Sequence, residues 1–208
     1  MVADNFREAG TRLLTPLARN FPLDPMGISL LSLATAIGAG YCFSQADYPD
    51  KSEWLLFAAG LVFLTALLDA LDGIVARMRD MVTKQGDLVD HTLDRIADVI
   101  ILGGIALGPL VNERAGFAAL LGVLLLSYMG TQAQAVGAGR VYSGLLGRAD
   151  RLVLLMAVPV IQFFFIERIE GEYLITWMAY TFAIVCTGSA LLRFWLVWKF
   201  LSEQDSQA

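Results

Sequence analysis

The sequence predicts an all-α integral membrane protein, with six transmembrane helices preceded by an N-terminal amphipathic surface helix. Three observations carry this reading. Of 208 residues, 57% are hydrophobic and only 17% charged, a balance too apolar for a soluble domain of this length. A spanning helix needs roughly 20 mostly apolar residues, and about six such stretches follow one another between short polar connections. Lys and Arg crowd into alternate connections, as in a chain with a fixed orientation in a bilayer. The stretches use nearly the whole chain, so residues 1–208 read as a single membrane-embedded domain: a juxtamembrane helix over 5–21 and a six-helix body over 26–200.

The elements follow in order. From Asn5 to Phe21 the residues Phe6, Leu13, Leu14, Leu17 and Phe21 recur at helical spacing among Arg7, Arg12 and Arg19, the pattern of a helix lying on a membrane surface. Asp4, Arg7 and Glu8 stand where a cleavable signal would have its apolar run, so the first span is expected to direct insertion. Pro22 and Pro25 break the surface helix, and the first span runs from about Met26 to Gln45. The second starts at Trp54 and admits Asp69 and Asp72 before the basic loop of Arg77, Arg79 and Lys84. The third runs from near Gly86 to Val111 with Asp87, Asp90, Asp94, Arg95 and Asp98 in its first half. A fourth covers 116–136, a fifth 152–165 and a sixth 173–200.

With the N-terminus inside, the cytoplasmic segments hold Arg7, Arg12, Arg19, Arg77, Arg79, Lys84, Arg140, Arg148 and Arg151, and the opposite loops only Lys51, Arg114 and Arg168. This places the aspartate-rich helix ends on the cytoplasmic side of the cell membrane. Cys42 and Cys186 both lie in apolar stretches, which excludes a disulfide framework or a thiolate metal site and leaves them as packing residues. No nucleic-acid partner is expected.

The informative stretch is Asp69-Ala-Leu-Asp72-Gly73-Ile-Val-Ala76-Arg77, then eight residues, then Gly86-Asp-Leu-Val-Asp90-His-Thr-Leu-Asp94. Spacings of three and four place Asp69, Asp72, Gly73 and Ala76 on one helix face and Gly86, Asp90 and Asp94 on another. The short connection between Arg77 and Gly86 predicts that the two helices are antiparallel neighbours, with four carboxylates converging on one pocket. Each would cost about 2.5 to 3.5 kcal/mol inside a bilayer if left bare. A positive charge must lie between them, and hard divalent cations, Mg²⁺ or Mn²⁺, suit carboxylate oxygens where thiolates and multiple imidazoles are missing. Two ions would suit four carboxylates. The blander alternatives are a water-filled ion pathway, as in a cation transporter, or buried ion pairs with Arg77 and Arg95. A transporter would more often show interrupted helices and internal symmetry, and no repeat is visible. Gly73 and Gly86 would let a flat base or diphosphate approach the backbone, or let helices pack closely. Arg77 could pair with a phosphate. His91, one residue past Asp90, points about 100° from the carboxylate face and is expected to pack.

The spacing D-x-x-D-G-x-x-A-R, eight residues, G-x-x-x-D-x-x-x-D, with every fixed position filled, resembles the signature of the CDP-alcohol phosphotransferases. Six spans behind a surface helix also resemble that family's fold. The resemblance implies a metal-dependent transfer of a lipid phosphate from a CDP-lipid to a small alcohol, with release of CMP. It implies that Asp69, Asp72 and Asp90 bind metal with Asp94 beside them as general base, and that Gly73, Ala76, Arg77, Thr83 and Gly86 border the CDP group. Met26 and Ser29, in the proline-led start of the first span, would border the nucleotide too.

Ser127-Tyr128, Gly137-Ala-Gly139-Arg140 and Gly144-Leu-Leu-Gly147-Arg148-Ala-Asp-Arg151 are similar to the inositol-phosphate branch of the family, and Arg193 matches a basic residue of that branch. Arg140, Arg148, Arg151 and Arg193 would then clamp the phosphate of inositol 1-phosphate. The branch carries basic residues just after Ser-Tyr, where this chain has Met129, Gly130, Thr131 and Gln132. Glycerol 3-phosphate, serine or another polyol therefore stay open as acceptors. The donor is CDP-diacylglycerol or, since the resemblance extends to archaeal members, CDP-archaeol. The family's homodimers, and the small-xxx-small spacing of Gly104 and Gly108, lead to the expectation of a homodimer, although that spacing could equally pack within one chain.

Overall fold

A computed structural model describes residues 14–48, 52–139, 141 and 143–206. Among these the regular structure is all helix, apart from one isolated bridge between Ile169 and Glu172. A short α1 (14–19) precedes α2 (Pro25–Gln45), α3 (Glu53–Met78), α4 (Lys84–Leu107), α5 (Glu113–Ala135), α6 (Arg148–Phe164) and α7 (Leu174–Asp205). Four of them, α2, α3, α5 and α7, are long and apolar enough to cross a membrane. Against the expectation of six spans, α4 and α6 fall outside this set: α4 carries its aspartates in the first half and α6 has only 17 residues. Most of the expected surface helix, with Arg7 and Arg12, lies outside the described residues. Its described end packs Leu14, Ala18 and Phe21 against Ile28, Leu71, Ile74 and Val75.

The helix ends have local causes. Asp24 caps α2 by accepting from Gly27 N at 2.9 Å, with Pro25 as the first helical residue. Asp80 takes a positive φ of 53° after α3, and Met81 N closes a bond to Ala76 O at 2.9 Å. Thr83 caps α4 by accepting from Gly86 N at 3.0 Å. Gly137, at φ 81°, ends α5 in the same way as Asp80 ends α3. Glu170 and Gly171 both have positive φ between the bridged Ile169 and Glu172, the geometry of a tight reversal.

Packing corrects one expectation. Helices α3 and α4 are not neighbours: α2 packs against both, α4 continues onto α5, α5 onto α7, and α3 onto α6. Two faces rich in carboxylate cannot close on each other without desolvating like charges, whereas α2 offers small residues to both. Gly40 and Gly104 bring α2 and α4 into backbone contact; a Cβ on Gly104 would stand 2.0 Å from the Gly40 carbonyl oxygen, and one on Gly108 2.6 Å from that of Phe43. The Gly104–Gly108 spacing is thus used inside the chain. Phe182, Leu55, Ile101 and Leu126 fill the core around it, with Cys42 and Cys186 buried as expected.

Candidate active site

The space left between α3 and α4, roofed by the start of α6, is the site. Asp69 and Asp72 reach into it from α3 and Asp90 and Asp94 from α4, and with Arg148 and Ser29 they line a cavity of about 10 Å³, roughly the volume one water-sized body occupies. Carboxylate oxygens of Asp69, Asp72 and Asp90 lie within 4.8 Å of one another, as do ligand atoms of Asp90, His91 and Asp94. The carboxylates therefore converge as the sequence predicts, although their helices do not touch.

Their charge is only partly matched. Arg148, from the first turn of α6, donates to Asp69 Oδ2 at 2.8 Å and lies 2.5 Å from Asp94 Oδ1. Arg95 lies 3.6 Å from Asp94 and 3.3 Å from Asp98. Asp72 is buried and receives a hydrogen bond from Ser29 Oγ at 2.6 Å. Among the described residues neither Asp72 nor Asp90 has a cation within ion-pair distance. An all-oxygen set with two uncompensated carboxylates, closely spaced about an ion-sized gap, fits a hard divalent cation.

A second, larger cavity of about 590 Å³ adjoins the first, and Arg148 lines both. Its wall holds Arg95, Ser127, Tyr128, Gly130, Arg151 and Arg193, with His91 beside them. Arg151 is buried and lies 3.4 Å from Asp98. Arg95 donates to Ser127 Oγ. Arg193 donates from Nε to Ser143 O at 2.8 Å and from Nη1 to Leu126 O at 3.1 Å.

The sequence-derived site residues sort as follows. Asp69, Asp72, Asp90, Asp94 and Ser29 come together. Arg148, Arg151 and Arg193 share the larger cavity, but Arg148 holds carboxylates as well. Arg140 lies outside the described residues. Gly73 and Gly86 are not packed by another helix: a Cβ there would meet only Arg77 Nη1 at 3.4 Å and Thr83 Oγ1 at 3.3 Å. Arg77, Met26 and Thr83 are exposed at the same end, with Ala76 half-buried. His91 does not pack as expected; it is half-exposed at the larger cavity, 3.6 Å from Asp87, because the turn away from the carboxylate face leads into open space. Asp98 and Arg95 were missed as site residues, although Asp98 extends the four-residue series Asp90, Asp94, Asp98 along the same face.

A carboxylate-lined metal site beside an arginine-lined cavity, carried on apolar helices, defines a metal-dependent membrane transferase. Residues 24–185 match the family profile described as CDP-alcohol phosphatidyltransferase, and the chain belongs to this family of metal-dependent enzymes of phospholipid synthesis. It is 34% identical over 139 residues to the archaetidylinositol phosphate synthase of Pyrococcus horikoshii, covering 64% of this chain and 74% of that one. It is 32% identical over 154 residues to the enzyme of the same name from Methanothermobacter thermautotrophicus, covering 74% and 75%. Its fold is similar to the crystal structure of Mycobacterium tuberculosis phosphatidylinositol phosphate synthase with CDP-DAG bound, at TM-score 0.74 and 25% identity over 90% of this chain and 94% of that one.

Proposed function

We propose that this enzyme transfers a phosphatidyl or archaetidyl group from a CDP-lipid to inositol 1-phosphate and releases CMP. The observation that carries the proposal is the shared wall: Arg148 lines both the carboxylate cavity and the larger basic one, so a diphosphate at the first and an anionic alcohol at the second would meet. The inositol-phosphate synthases named among the relatives support this acceptor, and so does a basic cavity roomy enough for a phosphorylated ring. The donor's acyl or archaeol chains would lie along the apolar outer surface.

Asp69, Asp72 and Asp90, with Asp94 beside them, would hold two Mg²⁺ ions, Mn²⁺ serving as a substitute. Divalent cations bound there neutralise a diphosphate and stabilise the charge that develops as CMP leaves. Ser29 orients Asp72 through its hydrogen bond. Gly73, Ala76, Gly86, Arg77 and Thr83, with Met26, leave an open approach for the cytidine side of the donor. The acceptor hydroxyl gives its proton to Asp94, its oxygen bonds to the lipid-bearing phosphorus, and the bond from that phosphorus to the CMP oxygen breaks. Arg148 is the group that must yield Asp94 for this step; its Nε is buried without a partner among the described residues, a donor available to a substrate oxygen.

The single-domain reading over 1–208, six membrane spans and a cytoplasmic active site complete the proposal, with α4 and α6 spanning as part of the bundle because Asp94, Asp98, Arg151 and Gln162 turn inward. The homodimer rests on the family resemblance alone. CMP release by purified protein with Mg²⁺ and CDP-lipid, across a panel of acceptors, tests the assignment. Turnover with inositol 1-phosphate is expected; turnover only with glycerol 3-phosphate or serine would keep the chemistry and overturn the acceptor.

A further inference from the structure

The four described arginines of the larger cavity differ in what balances them. Arg95, Arg148 and Arg151 each face at least one aspartate. Arg193 faces only the neutral carbonyls of Ser143 and Leu126, and among the described residues no carboxylate lies within ion-pair distance of it. Its charge is therefore the one left over for an anion. Its place depends on a residue with no side chain: a Cβ built on Gly130 of α5 would stand 3.2 Å from Arg193 Nη1, tighter than ordinary contact. Because Gly130 is bare, the guanidinium lies against the α5 backbone and reaches the Leu126 carbonyl one turn back, whose oxygen offers a second lone pair besides that used by the helix. Ala would be the better helix former at this mid-helix position, so local helix stability does not account for glycine here.

We infer that Gly130 is a positioning residue for the acceptor: its missing side chain seats Arg193 against α5 and so sets the affinity for the anionic group of the acceptor. The inference rests on the larger cavity being the acceptor site.

Steady-state CMP release tests this with wild type, Gly130→Ala, Arg193→Ala and the double variant, varying inositol 1-phosphate at saturating CDP-lipid. Gly130→Ala is expected to raise the acceptor KM roughly threefold to tenfold, a partial loss of one charge-assisted hydrogen bond. Its kcat and its KM for CDP-lipid should hold, and its thermal midpoint should equal or exceed that of wild type. In the Arg193→Ala background the same change should do nothing more. An unchanged KM in Gly130→Ala beside a raised one in Arg193→Ala would overturn the inference and leave the basic acceptor site standing, since Arg193 would then tolerate the methyl group. The same factor in both backgrounds would overturn it too, as would a lowered midpoint with kcat and both KM values disturbed together. A wild type that turns over only uncharged alcohols would overturn the inference together with the acceptor assignment.

Discussion

Asp94 is buried between two arginines, 2.5 Å from Arg148 and 3.6 Å from Arg95, and the proposed chemistry asks it to take a proton. Asp94→Asn keeps the shape and removes the basic oxygen, so turnover should fall by about 10²–10⁴, the range of general-base contributions, while binding of CDP-lipid, measured by calorimetry in detergent, stays near wild type. Full activity in that variant would remove Asp94 from the role of base. The carboxylates were legible in the sequence because charge inside an apolar helix is costly and rare, and because spacings of three and four fix which of them share a face. The counter-charges were less legible. Arg148 meets Asp94, 54 positions before it in the chain, only because α6 starts over the gap between α3 and α4, and a run of positive residues beside a span looks the same whether it faces lipid headgroups or a buried aspartate. Asp98 and Arg151 pair for the same reason, and no local pattern marks the pairing.

At the scale of elements, α2 determines the site. It packs against both α3 and α4, which make no backbone contact with each other, and so frames the gap into which the carboxylates point. Gly104→Leu would drive a side chain into the Gly40 backbone, 2.0 Å from where its Cβ must lie, and overpacking of this kind costs about 1–3 kcal/mol or more. The expected result is a lowered thermal midpoint together with lost activity, because Ser29 on α2 would shift against Asp90 and Asp94 on α4. A stable, active variant would mean that the two helices can separate without moving the site. Gln162 makes the complementary case near the far end of α6. It is fully buried, accepts from Ile175 N at 3.2 Å, donates to Phe165 O at 2.7 Å, and lies beside the Tyr48 hydroxyl. Gln162→Leu leaves the Ile175 N–H and the Phe165 carbonyl without this partner at about 1–3 kcal/mol, yet Gln162 lies about 21 Å along the helix from Arg148. The midpoint should drop while kcat and KM at permissive temperature hold; a kinetic defect there would tie this polar cluster to catalysis. Helix boundaries were readable to within a few residues from hydropathy and from the breaks at Pro22 and Pro25. The order of packing was not, because a short loop between α3 and α4 suggests direct contact, and only the small residues Ala36, Ala39 and Gly40 hint that a third helix packs against both.

For the whole molecule, apolar side chains such as Phe57, Leu121, Ile184 and Leu191 are widely exposed around the bundle, a surface that suits lipid and would aggregate in water. Inside it, the carboxylates and arginines gather toward one end, where the α3–α4 connection and the start of α6 lie. The described helix ends and connections at that end carry Arg77, Arg79, Lys84, Arg148 and Arg151, against Arg114 and Arg168 at the other, a bias of positive charge that supports the proposed cytoplasmic orientation of the site. Arg79 reinforces that end by donating to the carbonyls of Phe21 and Leu23 at 2.7 and 2.9 Å, tying the link between α1 and α2 to α3. This orientation can be read with single cysteines, because the native Cys42 and Cys186 are buried and should react little with a bulky reagent. Met81→Cys, in the exposed α3–α4 connection, should resist a membrane-impermeant maleimide in intact cells and react in inverted vesicles, while Glu167→Cys, in the α6–α7 connection, should do the reverse. Sealed inverted vesicles should also release CMP when inositol 1-phosphate and Mg²⁺ are added outside. Labelling of Met81→Cys from outside intact cells would turn the molecule over and place metal, acceptor and released CMP on the other side of the membrane.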